Sequence, residues 1–250
     1  MMNKISILGV KVNNIKSKEV EEVIKKTLKL KEKKIIFTPN TEIIMMCQKD
    51  LKLRKIINSG DLVTPDGIGL IYASKIYKAG LEERVTGFDL SMKLLELSKD
   101  ENYKVFFLGG KPGVAKRAKS NLESKGYRNI IGYHHGYFFN DSEYERIEEN
   151  IINQINKLGT NILFVGFGSP KQEKWINKNI QKINANIIIG NGGTIDVLAG
   201  EVNRAPDIYQ KLGLEWLYRL IQDPKRIKRQ ISIPKFLIKI IFSKNSVKNL

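Results

Sequence analysis

Short unbroken runs of apolar residues alternate along the chain with longer stretches that mix apolar and charged residues at helical spacing. Unbroken runs of β-branched and aromatic residues are typical of strands that are buried on both faces of a parallel sheet. Stretches such as 20–30 and 144–158 have the spacing of amphipathic helices. The alternation therefore predicts an α/β protein. The expected strand segments are 4–12, 34–39, 61–64, 104–108, 129–133, 162–165 and 187–189.

Three of the expected strands end in loops that are rich in glycine and lead into a helix. Glycine allows a ligand to approach the backbone closely, and the free N–H groups at the start of a helix attract anions. Because the carboxyl ends of parallel strands lie at one edge of a sheet, the three loops should meet there. This pattern predicts a site for a nucleotide-type ligand. The candidate binding residues are Gly109, Gly110, Gly166, Gly168, Lys171, Gln172, Gly192, Gly193, Thr194 and Asp196.

Some positions in these loops have a second interpretation. Pro170 suits the first turn of a helix. Thr194 and Asp196 are expected either to cap a helix or to contact a ribose or base. No loop completes the Gly-Lys-Ser/Thr ending of a P-loop or the G-x-G-x-x-G pattern. The sequence also has no Asp-x-Asp pair for a divalent ion, so protein cations and helix termini would have to stabilise a diphosphate leaving group.

A second group of polar residues lies in the N-terminal half, after strands or in loops. Asp66 is either a carboxylate that faces a cleft or an ordinary turn residue. Arg84 is either a clamp for a phosphate or carboxylate or one partner of a surface ion pair. Thr38 and Asn40 are typical turn residues. The segments that contain this group are 37–42, 64–69 and 83–90.

The chain has 250 residues and a formal charge of +17, which is concentrated near its C-terminus. Residues 211–250 contain ten Lys or Arg but only two acidic residues, and so contribute +8. After residue 200, apolar and basic residues interleave without a further strand-loop-helix unit. The pattern predicts an α/β core over residues 1–200 and a basic amphipathic helical appendage over 201–250.

The appendage contains two expected features. Asp223 and Pro224 should be the N-cap and first turn of a helix with Arg226 and Arg229 on one face. The segment 233–242 is too apolar for a solvated tail, and too short and too interrupted by Lys to span a bilayer, so we expect an anchor on an anionic membrane surface. Alternatively, the apolar residues pack on the core while the basic residues face solvent. The N-terminus has no signal-peptide pattern, which favours the cytoplasm.

The positive charge also fits a function of another class, that of an RNA-binding protein or an RNA-modifying enzyme. The aromatic residues of the appendage lie among Ile and Leu at helical spacing, however, and no RNA-binding module is recognisable. We therefore expect no nucleic acid partner.

Several motifs occur in a characteristic order: FTPN, TPDGIG, ERVTGFDL, FFLGG, GFGSPKQE, GGTIDVLAGEVNRAP and GLEWLYRLIQDPKR. Through them the chain resembles the WecG/TagA/CpsF family of bacterial glycosyltransferases over about residues 5–232. The resemblance implies a Rossmann-like, mostly parallel sheet flanked by helices, with a C-terminal helical appendage. It is strongest to the TagA branch, which implies transfer of N-acetylmannosamine from UDP-ManNAc to undecaprenyl-diphosphate-linked GlcNAc, for wall teichoic acid, at the inner face of the cell membrane. Members that use UDP-ManNAc uronic acid or other UDP-sugars leave the donor open.

The resemblance also implies a role for individual residues. Gln172 would lie near the donor, and the appendage would close over the site. Inversion at the sugar, without a metal or other cofactor, is the implied chemistry. A homo-oligomer held by apolar residues of the appendage is a further expectation. The implied catalytic residues are Asp66 as general base, with Thr38, Asn40, Arg84, Arg219, Arg226 and Arg229.

Overall fold

The computed structural model describes residues 3–243 and 246–250, without the side chains of Lys211, Arg226 and Lys228. Strands and helices alternate over most of this length. The strands are β1 Lys4–Ile7, β2 Val10–Asn13, β3 Lys34–Phe37, β4 Leu62–Val63, β5 Val105–Gly109, β6 Ile130–His134, β7 Ile162–Gly166, β8 Ile187–Gly190 and β9 Val247–Asn249. The helices are α1 Ser17–Lys29, α2 Thr41–Cys47, α3 Leu51–Asn58, α4 Ile68–Ile76, α5 Gly87–Asp100, α6 Val114–Glu123, α7 Tyr144–Lys157, α8 Lys171–Asn179, α9 Thr194–Leu198, α10 Asp207–Lys211, α11 Glu215–Gln222, α12 Ile227–Gln230 and α13 Ser232–Phe242.

Six strands form one sheet in the order β4-β3-β8-β7-β5-β6. Every neighbouring pair in this sheet is parallel, so the carboxyl ends of all six strands lie at the same edge. The predicted α/β class and Rossmann-like sheet are confirmed. The loops after β3, β4, β5, β7 and β8 consequently meet at one edge of the sheet.

Both faces of this sheet are buried, which explains why its strands are unbroken apolar runs. In β5, Phe106 and Leu108 point into the core layer that includes α2, α3, α4, α8 and α13. Val105 and Phe107 point into the layer that includes α1, α5 and α6. Successive side chains of a strand point to opposite faces, so each strand contributes to both layers.

The N-terminal segment differs from its prediction as one strand, 4–12. β1 and β2 are two antiparallel strands, joined by a tight turn at Leu8 and Gly9. Both turn residues have positive φ, 49° and 82°, as a two-residue hairpin of this twist requires. This hairpin lies outside the parallel sheet and forms a separate sheet, β2-β1-β9. The prediction was wrong because the segments on both sides of Gly9, 5–7 and 10–12, have the same alternation of apolar and polar residues, which conceals the turn.

The C-terminal segment combines the two interpretations given above. Phe236 and Ile240 of α13 are completely buried, and α13 packs against α2 and α4. Ile238, Ile241 and Phe242 of the same helix are exposed. A strand, β9, follows the helices and pairs with β1, so the segment is not wholly helical. No helix in the described ranges has both the length and the apolar character needed to cross a bilayer. The division at residue 200 and the membrane anchor stay predictions.

Candidate active site

A cavity of about 1300 Å³ lies at the carboxyl edge of the parallel sheet. Loops after three strands form what we call the glycine-loop wall, residues 110–114, 166–172 and 191–197. Residues 212–237 form what we call the C-terminal wall. The predicted site residues that line the cavity are Thr38, Asn40, Asp66, Arg84, Gly110, Gly166, Gly168, Lys171, Gln172, Gly192, Gly193, Thr194, Asp196, Arg219 and Arg229.

Asp66 lines the cavity, three residues after β4 ends. Its backbone N–H donates to the Pro39 carbonyl at 3.1 Å, and its Oδ2 accepts from the Gly87 backbone N–H at 2.9 Å. These two bonds fix a side chain that is partly exposed to the cavity. The structure thus brings Asp66 into a cleft, as the first of its two interpretations required.

The surroundings of Asp66 raise its pKa to about 6, chiefly because burial disfavours the charged carboxylate. The hydrogen bond from Gly87 and the positive charges of Arg219 and Arg84 oppose this rise in pKa, whereas the negative charge of Glu215 adds to it. A carboxyl group with a pKa near 6 is mostly ionised at neutral pH and is a stronger base than an ordinary aspartate.

Thr38 is held beside Asp66 because the residue facing it is a glycine. A Cβ added at Gly87 would lie 2.8 Å from Thr38 Oγ1 and 3.5 Å from Asp66 Oδ2. Gly87 therefore permits the threonine hydroxyl, the carboxylate and the start of α5 to meet. Asn40, the residue at the N-cap of α2, accepts from the Ile43 backbone N–H through Oδ1 at 3.0 Å, which leaves its NH₂ group as a donor.

Two of the predicted arginines, Arg84 and Arg229, form ion pairs with acidic residues. Arg84 forms a partly buried ion pair with Glu215 of α11, with 3.4 Å between Nη2 and Oε1. Arg229 Nε lies 2.7 Å from Glu42 Oε1 of α2. Both pairs join the core to the C-terminal wall. Arg219 lines the cavity, whereas the side chain of Arg226 lies outside the described residues.

The turn that leads into α12, the helix that contains Arg229, begins as predicted. Asp223 is the N-cap, where its Oδ1 accepts from the Lys225 backbone N–H at 3.2 Å, and Pro224 is the first residue of a 3-10 turn that precedes α12. That Arg226 and Arg229 share one helix face stays a prediction, because the side chain of Arg226 lies outside the described residues.

Gln172 joins two loops of the glycine-loop wall through a hydrogen bond. It is buried, its Oε1 accepts from the Gly192 backbone N–H at 3.1 Å, and its Nε2 donates to Glu173 Oε1 at 3.0 Å. Burial raises the pKa of Glu173. Gly168 and Gly192 have positive φ, 77° and 51°, and their Cα atoms face open space. The wall thus presents backbone rather than side chains at these two positions.

Three positions in the glycine loops differ from the simplest expectation. Gly109 does not line the cavity among the described residues; a Cβ there would lie 2.5 Å from the Gly166 carbonyl oxygen, so this glycine lets β5 and β7 approach each other. Gly193, rather than Thr194, takes the N-cap of α9. Pro170 is the N-cap of α8, one residue before its expected place.

The motifs of this cavity match a family of known proteins. The sequence pattern of the glycosyl transferase WecG/TagA/CpsF family covers residues 5–249. The chain belongs to this family. Two similar proteins, from Staphylococcus aureus strains MW2 and NCTC 8325 / PS 47, are each named N-acetylglucosaminyldiphosphoundecaprenol N-acetyl-beta-D-mannosaminyltransferase. Each is 34% identical over 248 residues, which is 98% of this chain and 95% of the relative.

The cavity of this glycosyltransferase contains residues that sequence reasoning missed. Glu42 and Glu215 contact the predicted arginines, and the aromatic rings of Tyr72, Tyr137 and Trp216 line the cavity. Glu215 lies in the motif GLEWLYRLIQDPKR and Glu42 in the segment 37–42, but nothing local marks either as an ion-pair partner, because the arginine that it contacts is far away along the chain. In the described ranges, no group of three or more His, Cys, Asp or Glu is arranged to hold a metal ion.

Proposed function

We propose that this glycosyltransferase moves N-acetylmannosamine from UDP-ManNAc to undecaprenyl-diphosphate-linked GlcNAc and makes the β-1,4 linkage unit of wall teichoic acid. The names of relatives that are similar over nearly the whole chain support this donor and acceptor. The cavity fits two substrates, because it joins a glycine-rich wall to a wall that contains arginine and apolar residues.

The observation that supports the mechanism best is the position of Asp66 in the cavity, near the positive charges of Arg219 and Arg84 and with a pKa near 6. Asp66 takes the proton of the acceptor 4-hydroxyl as that oxygen bonds to the anomeric carbon of the donor. The bond from the anomeric carbon to the UDP oxygen breaks in the same displacement, so the configuration inverts and UDP leaves. General-base catalysis of this kind contributes on the order of 10²- to 10⁴-fold in rate.

Protein cations and backbone N–H groups stabilise the leaving UDP without a metal ion. Arg219 and Arg229 line the cavity, and Arg226 lies between them in the sequence. Gly168 exposes backbone at the other wall, where Lys171 adds a charge. Removal of one donor that stabilises developing charge costs roughly 10²- to 10³-fold in kcat.

The proposed acceptor is a membrane lipid, so the enzyme works at the cytoplasmic face of the cell membrane as a peripheral protein. The exposed apolar residues and the lysines of α13 support attachment to an anionic surface. The same apolar residues would hold a homo-oligomer away from the membrane.

Release of UDP from UDP-ManNAc, measured in EDTA with and without a GlcNAc acceptor linked to a short-chain lipid diphosphate, tests the proposal. We expect release that depends on the acceptor and persists in EDTA. Release only after Mg²⁺ is added would contradict the metal-free mechanism. Release from UDP-ManNAc uronic acid but not from UDP-ManNAc would show that the proposed donor is wrong while the enzyme class is right.

A further inference from the structure

Two apolar stripes lead from the cavity to the protein surface along α4 and α13. On α4 the stripe is Ile68, Tyr72 and Ile76, spaced four residues apart and therefore on one helix face. Ile68 and Tyr72 line the cavity, whereas Ile76 is 53% exposed beyond it. An exposed row of this kind, continuous with a polar site, is unusual for a surface that serves only folding.

The stripe on α13 has the same spacing and also begins at the cavity. Its members are Ile233, Leu237 and Ile241. Ile233 and Leu237 line the cavity, and Ile241 is 61% exposed. Each stripe therefore starts at the reaction site and ends in solvent.

From the cavity, α4 and α13 run outward side by side and in the same direction. Near the cavity the ring of Phe236 lies 3.7 Å from the position that a Cβ of Gly69 would occupy. Eight residues after Gly69, the Tyr77 hydroxyl donates to the Ile240 carbonyl oxygen at 2.8 Å. The contacts thus proceed in the same direction along both helices, over about 12 Å of the α4 axis and about 6 Å of the α13 axis.

We propose that α4 and α13 form a groove for the prenyl chain of the acceptor, with its first isoprene units between the two stripes. This inference rests on the proposed function, which supplies a diphosphate-linked prenyl acceptor. The groove is continuous with the cavity that contains Asp66, so a sugar at Asp66 would have its lipid tail directed between Tyr72 and Leu237. The exposed basic side chain of Lys75, next to Ile76 on α4, suits the headgroups at the surface where the chain would enter.

The dependence of KM on the length of the acceptor chain tests the groove. The two acceptors are GlcNAc diphosphates with an ethyl and an undecaprenyl chain, both in the same detergent solution, because an ethyl group is too short to enter the groove. We expect the wild-type enzyme to have a lower KM for the undecaprenyl acceptor. In Leu237→Gln and Tyr72→Gln, this preference should fall by about 10-fold, since it reflects the burial of a few methylene groups.

Ile238→Gln is the matched control, because Ile238 lies on the same helix, is 57% exposed and is not among the residues that line the cavity. It should keep the wild-type preference. An unchanged preference in Leu237→Gln would overturn the groove, as would an equal rise in KM for both acceptors. Equal loss of the preference in Ile238→Gln would indicate contact with the micelle surface instead.

Photo-crosslinking gives a second measurement that needs neither turnover nor a variant. A geranylgeranyl diphosphate with a terminal benzophenone should label peptides that contain 68–76 and 232–242, and undecaprenyl diphosphate should compete. Labelling elsewhere would overturn the groove. If the wild-type enzyme releases no UDP with either acceptor but these peptides are labelled, the groove stands and the proposed reaction fails.

Discussion

The glycine-loop wall and the C-terminal wall border one cavity but are held in place in different ways. Each loop of the glycine-loop wall follows a buried strand directly, so hydrogen bonds of the sheet position it. The C-terminal wall is attached by ion pairs such as Arg84–Glu215 and Glu42–Arg229, whose partners are more than a hundred positions apart. Substitutions in the glycine-loop wall should therefore affect mainly the stability of the fold. Substitutions in the C-terminal wall should affect mainly turnover.

The largest expected effect concerns Asp66, which interacts with the charges of Arg219 and Glu215 in the C-terminal wall. Asp66→Asn should lower kcat by on the order of 10²- to 10⁴-fold, because the amide cannot take a proton. UDP release measures this effect. Turnover close to that of the wild type would exclude Asp66 as the base.

The same variant should be more stable than the wild type at neutral pH. The pKa of Asp66 in the folded protein, about 6, lies above its ordinary value of 3.8, so the folded state binds the proton more tightly. The stability that this provides is complete below the ordinary value and is lost as the pH rises through about 6. Asp66→Asn removes an ionisation cost of up to about 3 kcal/mol. Urea denaturation of both proteins at neutral and acidic pH measures the difference, and a difference between variant and wild type that is the same at the two pH values would contradict this account.

Gly109→Ala tests how the backbone fixes the glycine-loop wall. The new Cβ would lie 2.5 Å from the Gly166 carbonyl oxygen at a φ of 155°, so we expect a loss of about 2–5 kcal/mol in the free energy of unfolding. Gly168→Ala is the control, since its Cβ would contact nothing within 4 Å and only its positive φ is costly, by about 1–2 kcal/mol. Equal losses in the two variants would argue against close contact of β5 and β7 as the cause.

Opposite shifts in the pH dependence would show that the C-terminal wall acts on Asp66 through charge. Arg219→Gln removes a positive charge that lowers the pKa of Asp66, so the acidic limb of kcat/KM should move to higher pH. Glu215→Gln removes a negative charge that raises this pKa, so the limb should move to lower pH. A pH profile from about 5 to 9 measures both. Shifts in the same direction would point to a change in structure.

The smallest expected effect on stability is that of Arg229→Gln. The Arg229 side chain is 53% exposed in its pair with Glu42, so the free energy of unfolding should change by less than about 1 kcal/mol. Glu42→Gln breaks the same pair but keeps the cation. If Arg229 acts on the leaving UDP, Arg229→Gln should lose much more turnover than Glu42→Gln. Similar losses would mean that only the ion pair matters.

The sequence predicted the glycine-loop wall well because its signal is local. An apolar run, two glycines and a helix start lie within about a dozen residues, and periodicity detects such units. The first strand was mispredicted because its pattern is also local. Apolar and polar residues alternate on both sides of Gly9, and this alternation does not reveal that the chain reverses there and pairs with itself.

The acidic partners of the arginines, and the buried and exposed sides of α13, could not be predicted in the same way. Glu215 is one polar residue of an amphipathic helix, and only the fold brings it to Arg84. Phe236 and Ile238 are two residues apart with similar apolar character, yet one is buried and the other exposed. Their difference depends on how α13 packs against α4, which no local pattern records.

The pairing of β1 with β9 has a consequence for the order of events during protein synthesis. The hairpin of β1 and β2 is made before the parallel sheet, whereas its outer neighbour β9 is made after every strand of that sheet. A nascent chain that has reached Gly200 already contains Asp66 and the glycine loops, yet it lacks Arg219 and Phe236. The enzyme should therefore become competent for turnover only after α13 has been made.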